Sequence, residues 1–155
     1  MVMPHLTPEH EALAMFVGSW QGAERIHPSA FDPVGGEAIG RVQNRLALDG
    51  FAVIQDYEQE RHGSINFRGH AIFRWDSAER LYVLHWFDSF GGSPAEYRGH
   101  LEGRVLTFVG PTSGGHARAI FDFTARDTYR YSLSISPDGQ EWSVFTDGQY
   151  ARLTA

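Results

Sequence analysis

From Gly18 onward, apolar and polar residues alternate in short runs that are separated by turn residues. Alternation with a period of two is typical of half-buried β-strands, because successive side chains point to opposite faces. The clearest turn signal is Asp49-Gly50, a pair that favours a tight hairpin and places Asn44 opposite Gln55. The chain is therefore expected to fold as a succession of antiparallel hairpins.

The runs predict about ten strands in a single all-β domain that spans residues 1–155. Their predicted ranges are 20–28, 37–48, 51–60, 65–75, 81–88, 95–102, 104–109, 116–124, 128–136 and 141–153. Successive turns agree on which face is buried, and an open meander would leave two strand edges unpaired. We therefore expect a closed antiparallel barrel.

One short helix is predicted before the strands, near residues 8–16. Thr7 is a suitable N-cap, and Pro8 suits the first helical position. Leu13 and Phe16 share one face, and Gly18 ends the pattern. This helix is expected to cover one end of the barrel.

Trp20 opens the first strand, and Arg152 falls on the same face of the last strand. In a closed meander these two strands are neighbours, so the guanidinium can stack on the indole. The pair is expected to seal the barrel end next to the helix. Glu24 also faces inward by alternation from Trp20, and as a buried carboxylate it is expected to pair with Arg152.

The predicted interior mixes polar groups with aromatic walls, a combination that is typical of small-molecule sites. The candidate ligand-binding residues are Asn44, Gln55, Tyr57, Phe73, His85, Tyr97, Phe121, Tyr131 and Tyr150. For His85 two registers stay open, because the connection "WDSAERLY" can form a loop of five or four residues. The first turns His85 and Phe87 inward, and the second turns Tyr82, Trp86 and Asp88 inward.

Composition excludes several functions. The chain has no cysteine, and all 13 of its basic residues are arginines, which rules out thiolate chemistry and Schiff-base catalysis. The net charge of −6 and the lack of a basic run argue against nucleic-acid binding. No metal-ligand spacing, membrane-spanning apolar run or N-terminal signal pattern is present, so we expect no metal, no membrane partner and a cytoplasmic location.

Four segments resemble one family of proteins when they are taken in order along the chain. They are "FVGSWQG" (16–22), "LALDGFAVIQDY" (46–57), "FRGHAIFRWD" (67–76) and "YVLHWFDS" (82–89). The set resembles an uncharacterised bacterial family of calycin-like β-barrels, the domain of unknown function 1579 type, and more distantly the lipocalins and fatty-acid-binding proteins. This resemblance implies the fold and carries no established activity.

Three functional interpretations stay open. The favoured one is a barrel that binds a small, mainly apolar molecule and needs no cofactor. A second is a haem protein resembling nitrobindin, whose Gly-x-Trp-x-Gly opening is matched by "GSWQG", although Glu24 and Ile26 stand where that family has glycines and no histidine follows His116. A third is a small enzyme that uses the barrel interior. The oligomeric state is left open by the sequence.

Overall fold

The computed structural model describes residues 2–154, which form ten strands preceded by a short helical segment. The helical segment consists of helix α1 (Pro8–Ala12) and a 3-10 turn (Leu13–Phe16). The strands are β1 (Gly18–Ile26), β2 (Gly36–Ala47), β3 (Ala52–Arg61), β4 (Ser64–Asp76), β5 (Leu81–Asp88), β6 (Ala95–Glu102), β7 (Val105–Thr112), β8 (Gly115–Asp122), β9 (Thr128–Ser136) and β10 (Ser143–Arg152).

The strands close into an antiparallel barrel in which each strand pairs with its neighbours in sequence. Closure is completed by β1 and β10, where Trp20 lies opposite Arg152 and Glu24 lies opposite Gly148. Every strand thus has a partner on both sides, so the described barrel has no free edge. The predicted closed all-β barrel is confirmed.

The helical segment seals one end of the barrel. Phe16 is fully buried and packs on the rings of Phe73, Phe121 and Phe123. Its carbonyl oxygen accepts hydrogen bonds from the Trp20 indole at 2.9 Å and from the Asn44 amide at 2.8 Å. The segment is therefore fixed by both apolar packing and buried polar contacts. No helix within residues 2–154 is long and apolar enough to cross a membrane.

The first hairpin has the predicted register but a different turn. Asn44 pairs with Gln55 as expected, whereas the strands end at Ala47 and Ala52, so Leu48 and Phe51 do not pair. The connection is longer because Leu48 and Asp49 both adopt a left-handed backbone conformation, with φ of 53° and 57°. Phe51 instead packs against His10 of α1.

For the second hairpin, the segment "ERHGSI" predicts a three-residue loop that sets Tyr57 beside Phe67. The structure differs from this register by two residues, because Tyr57 lies opposite Gly69. A two-residue turn at His62-Gly63 replaces the expected three-residue loop, and Asn66 forms a bulge that restores the inward direction of the residues beyond it.

The ambiguous connection between β4 and β5 is a four-residue loop. Phe73 pairs with Leu84, which turns Tyr82, Trp86 and Asp88 inward. His85 consequently lies on the outer face, where the Arg74 side chain donates to it at 3.0 Å. The structure thus corrects the inclusion of His85 among the interior residues.

Alternation along the last strand predicts that Trp142, Val144 and Thr146 all face inward, but a second bulge reverses the direction of the first two. The pairing of β10 with β9 shifts between Val144 and Thr146, so that Val144 faces outward and Thr146 faces inward. Trp142, which simple alternation also turns inward, lies outside the barrel under the Arg118 guanidinium, 4.4 Å from its carbon. The alternation of inward and outward side chains therefore does not continue unchanged past a bulge.

Candidate functional site

The barrel interior is divided into a sealed half and an open half. In the half next to α1, most inward-facing side chains are buried in one apolar cluster, whereas Trp75 and Leu101 at its margin keep part of their surface exposed. This cluster includes Leu13, Phe16, Trp20, Val53, Phe73, Leu106, Phe108, Phe121 and Phe123. In the half away from α1, several inward-facing aromatic side chains keep part of their surface exposed. Solvent therefore enters the barrel from the end opposite the helix.

Aromatic side chains line the open half. Tyr57, Phe67 and Trp86 lie with their ring centres 6.1 to 6.3 Å apart, and Tyr97 and Tyr131 also face this space. We call these five residues the aromatic lining. Their partial exposure contrasts with the complete burial of Phe16, Phe73 and Phe123 in the sealed half.

Glycines on neighbouring strands allow the aromatic rings to lie along the barrel wall. A Cβ atom on Gly69 would overlap the Trp86 indole, and one on Gly110 would overlap the Tyr97 ring. Both rings therefore occupy space that any other residue would fill. Packing along the wall keeps these bulky groups away from the barrel axis.

A buried carboxylate lies between the two halves. Glu24 is only 3% exposed, and its oxygens accept hydrogen bonds from the Tyr57 hydroxyl at 2.7 and 2.9 Å. The Gln59 amide donates to it at 3.1 Å, and the Tyr150 hydroxyl also donates to it. We call these four residues the Glu24 cluster. Three donors around one carboxylate compensate for its lost hydration.

The geometry of the Glu24 cluster depends on Gly40. A Cβ atom at this position would overlap both the Tyr150 hydroxyl and the Glu24 carboxylate. The predicted pairing of Glu24 with Arg152 is wrong, because Arg152 lies at the sealed end with its guanidinium carbon 4.1 Å from the centre of the Trp20 ring. Arg152 also donates to Asp127 at 3.3 Å.

All six tyrosines of the chain resist ionisation. Burial is the main cause, and it raises the pKa of Tyr82 to about 12. Burial followed by the negative charge of Glu24 raises the pKa of Tyr57, Tyr131 and Tyr150 far above the ordinary value for tyrosine. Burial also raises the pKa of Tyr129 and Tyr97, which are the two remaining tyrosines. The tyrosines around Glu24 therefore stay neutral and act as hydrogen-bond donors.

The open half is electronegative. Besides Glu24, Asp88 faces inward, where it accepts hydrogen bonds from the Trp86 indole at 2.9 Å and from the Phe90 amide at 3.0 Å. Arg61, at the end of β3, has its charge balanced by Asp32 at 2.6 Å. Both inward carboxylates thus lack a cationic partner among residues 2–154.

Thr146 adds an unsatisfied polar group to the open half. It is 7% exposed and lies on the inward face of β10, opposite Leu133. Its hydroxyl has no hydrogen-bond partner within the described chain. A buried hydroxyl without a partner is uncommon in folded proteins.

The structure divides the predicted ligand-binding residues. Asn44, Gln55, Phe73 and Phe121 are buried towards the helix, whereas Tyr57, Tyr97 and Tyr131 belong to the open half. Tyr150 is buried and joins the two groups through Glu24. Sequence reasoning turned Phe67 and Thr146 inward without assigning them to the site, missed Gln59, and left Trp86 and Asp88 undecided. Glycines at inward positions of neighbouring strands are the sequence feature that could have predicted aromatic rings lying along the barrel wall.

A concavity of about 880 Å³ includes Glu24 and Tyr131 of the interior together with residues at outward strand positions. The outward residues belong mainly to β1, β2, β8, β9 and β10, and they include Arg25, Glu37, Arg130 and Asp147. This outward part carries both charges and lacks the apolar walls that are typical of small-molecule sites. We therefore regard the open half of the interior as the candidate site.

Histidine-ligated haem does not fit the interior. All eight histidines lie in the terminal segment, the helix, turns or outward strand positions. His85, which one of the two predicted registers turned inward, contacts Arg74 and Glu96 on the outer face. Within residues 2–154, no three histidine, aspartate or glutamate side chains are grouped to hold a metal ion.

Comparison with solved structures shows similar barrels at low sequence identity. Rv2717c from M. tuberculosis has a TM-score of 0.69 and 15% identity, covering 97% of this chain and 100% of that chain. The S-type phycobiliprotein lyase CPES from Guillardia theta has a TM-score of 0.62 and 12% identity, covering 97% and 95%. A de novo designed fluorescence-activating β-barrel has a TM-score of 0.50 and 14% identity, covering 92% and 97%. At these identities the likeness concerns the fold alone.

Sequence comparison identifies a family. No functionally curated protein is significantly similar to the chain. A family profile described as "Protein of unknown function (DUF1579)" matches residues 5–152, nearly the whole chain. The ordered segments that suggested this family in the sequence all lie within the match. The chain therefore belongs to the DUF1579 family of proteins of unknown function.

Proposed function

We propose that the protein binds a small, mainly apolar molecule in the open half of the barrel. The observation that carries this proposal is the contrast between the two halves of one interior. The aromatic side chains around Phe16, namely Phe73, Phe121 and Phe123, are buried, whereas Tyr57, Trp86 and Tyr97 face the same interior and stay partly exposed. A ligand that covers such a surface removes apolar area from water, and this stabilises the complex.

The fold supports the same interpretation in general terms. Two barrels with a similar fold are described as a phycobiliprotein lyase and as a fluorescence-activating designed barrel. Both descriptions are compatible with the binding of small chromophores, and neither specifies the ligand of this protein. The helix-sealed end favours entry from the opposite end only.

A dye titration tests the proposal. N-phenyl-1-naphthylamine, a neutral dye that fluoresces in apolar surroundings, is expected to bind saturably with one dye molecule per chain. Tyr131→Trp adds volume to the aromatic lining and is expected to weaken binding. Phe87→Trp is the matched control, because Phe87 is 43% exposed on the outer face of β5.

Two outcomes contradict the proposal. One is the absence of saturable dye binding by the wild-type protein. The other is an equal effect of Tyr131→Trp and Phe87→Trp on the dissociation constant, which places the dye outside the barrel. Thermal unfolding of each variant separates lost binding from lost folding.

A further inference from the structure

The charges inside the barrel point to the chemical class of the ligand. This inference rests on the proposed function and goes one step further. We propose that the open half selects a ligand with an aromatic or aliphatic body and one cationic nitrogen, held between the aromatic lining and the carboxylates of Glu24 and Asp88. A tertiary or quaternary ammonium group or a protonated nitrogen heterocycle has this chemistry.

The first support is the balance of charge. Glu24 and Asp88 both face the interior, and each is held only by neutral donors. Arg61, at the end of β3, is already paired with Asp32. An anionic ligand therefore meets two negative charges that no described cation balances, whereas a cation is attracted by both.

The second support is the arrangement of the aromatic rings. Tyr57, Phe67 and Trp86 form a triangle with sides of 6.1, 6.3 and 6.3 Å between ring centres. A cation is attracted by a ring face within about 6 Å of its centre, and Trp and Tyr are the strongest partners. One cationic group beside this triangle can therefore interact with all three rings.

The two features are connected physically. The Trp86 indole donates to Asp88 at 2.9 Å, and the Tyr57 hydroxyl donates to Glu24 at 2.7 Å. Each carboxylate thus fixes the orientation of one ring and adds negative charge beside it. The arrangement resembles the aromatic cages that recognise methylated ammonium groups, in which a cation lies against several ring faces.

A buried polar group gives independent support for a ligand in the open half. Thr146 is more than nine-tenths buried and faces the interior, and its hydroxyl has no partner in the described chain. It lies at the next inward position on β10 after Gly148, which is opposite Glu24. A polar atom of a bound molecule would satisfy this hydroxyl.

The test compares two probes of the same shape. (1-Naphthylmethyl)trimethylammonium and 1-neopentylnaphthalene differ only in a positively charged nitrogen that replaces a carbon atom. Each probe displaces N-phenyl-1-naphthylamine from the full-length protein. We expect the cation to bind about tenfold more tightly than its neutral counterpart, in the range of a desolvated cation–π contact.

Variants that each remove one negative charge test whether Glu24 and Asp88 cause the preference for the cationic probe. Glu24→Gln and Asp88→Asn are each expected to reduce it by about threefold or more, in line with removal of one nearby charge. Glu37→Gln is the matched control, since it removes a negative charge from an exposed, outward position on β2. Asp88→Asn keeps the test valid if Glu24→Gln fails to fold.

The outcomes distinguish this inference from the proposed function. Equal affinity of both probes, or a preference that is the same in Asp88→Asn and wild type, overturns the cation inference and leaves the barrel as a binder of apolar molecules. Binding of neither probe, together with the absence of dye binding, overturns the proposed function itself.

Discussion

The guanidinium of Arg152 lies over the indole of Trp20, with its carbon atom 4.1 Å from the ring centre. The two residues are direct cross-strand partners on β10 and β1, the pair of strands that closes the barrel. Arg152 also donates to the carbonyl oxygen of Val17, just before β1. The first and last strands are therefore joined by side chains as well as by the backbone ladder.

Arg152→Lys is expected to destabilise the protein by about 0.5–2 kcal/mol, because an ammonium group cannot lie flat on the indole and bond Val17 at the same time. The measurement is the free energy of unfolding in urea. Arg98→Lys serves as the control, since Arg98 is half exposed on the outer face and forms its ion pairs with Glu79 and Glu96. Equal effects of both substitutions would contradict a special role for the closing pair.

Gly40→Ala is expected to cost about 1–3 kcal/mol of stability, since the added methyl group overlaps Tyr150 and Glu24. Gly92→Ala is a suitable comparison, because no atom lies within 4 Å of a Cβ atom placed there. Thermal unfolding of the two variants is the readout. A stable Gly40→Ala protein with unchanged dye binding would show that the Glu24 cluster tolerates displacement.

Stability is expected to fall steeply in alkaline solution. The pKa of all six tyrosines is raised by burial, so the folded protein holds these protons more tightly than the unfolded chain does. The stability is complete below the ordinary tyrosine pKa of about 10 and is lost as the pH rises towards the folded-state values, by about 1.4 kcal/mol per pH unit for a fully buried tyrosine such as Tyr129 or Tyr150.

Absorbance at 295 nm, which reports tyrosinate, checks this expectation alongside circular dichroism. Tyr82, whose pKa is raised only to about 12, is expected to ionise before Tyr57, Tyr131 and Tyr150. The signal of those three tyrosines should appear together with unfolding. Full ionisation near the ordinary tyrosine pKa by a protein that keeps its fold would show that the tyrosines are hydrated.

Haem added to the protein is expected to give no absorption band that depends on His85. The ring of His85 lies outside the barrel and contacts Arg74 and Glu96. Spectra of wild-type and His85→Ala protein after mixing with haem should therefore be the same. A Soret band of one haem per chain that disappears in His85→Ala would reverse this expectation.

The sequence predicted the architecture well because each hairpin carries its own turn signal. The pairing of Asn44 with Gln55 and the opposition of Trp20 and Arg152 both follow from alternation and closure. The errors in register arose where a strand contains one extra residue that no sequence feature marks. The bulge at Asn66 and the shift between Val144 and Thr146 each changed a register that spacing alone could not determine.

The candidate site was less predictable than the fold. Alternation turned Tyr57 and Tyr97 inward correctly, but it contains no information on how deep each side chain is buried. Depth is set by the helical segment, which fills one half of the interior with Phe16 and leaves the other half open. The pairing of Glu24 with Tyr57 and Tyr150 joins three strands, and only the closed barrel brings them together.

The sealed end near Phe16 has a consequence for exchange kinetics. A molecule in the open half has the same passage for arrival and departure, so a second molecule cannot push it out from behind. One occupant must leave before the next enters. On the proposed function, the rate of replacement is then set by departure alone and does not increase with the concentration of the incoming molecule.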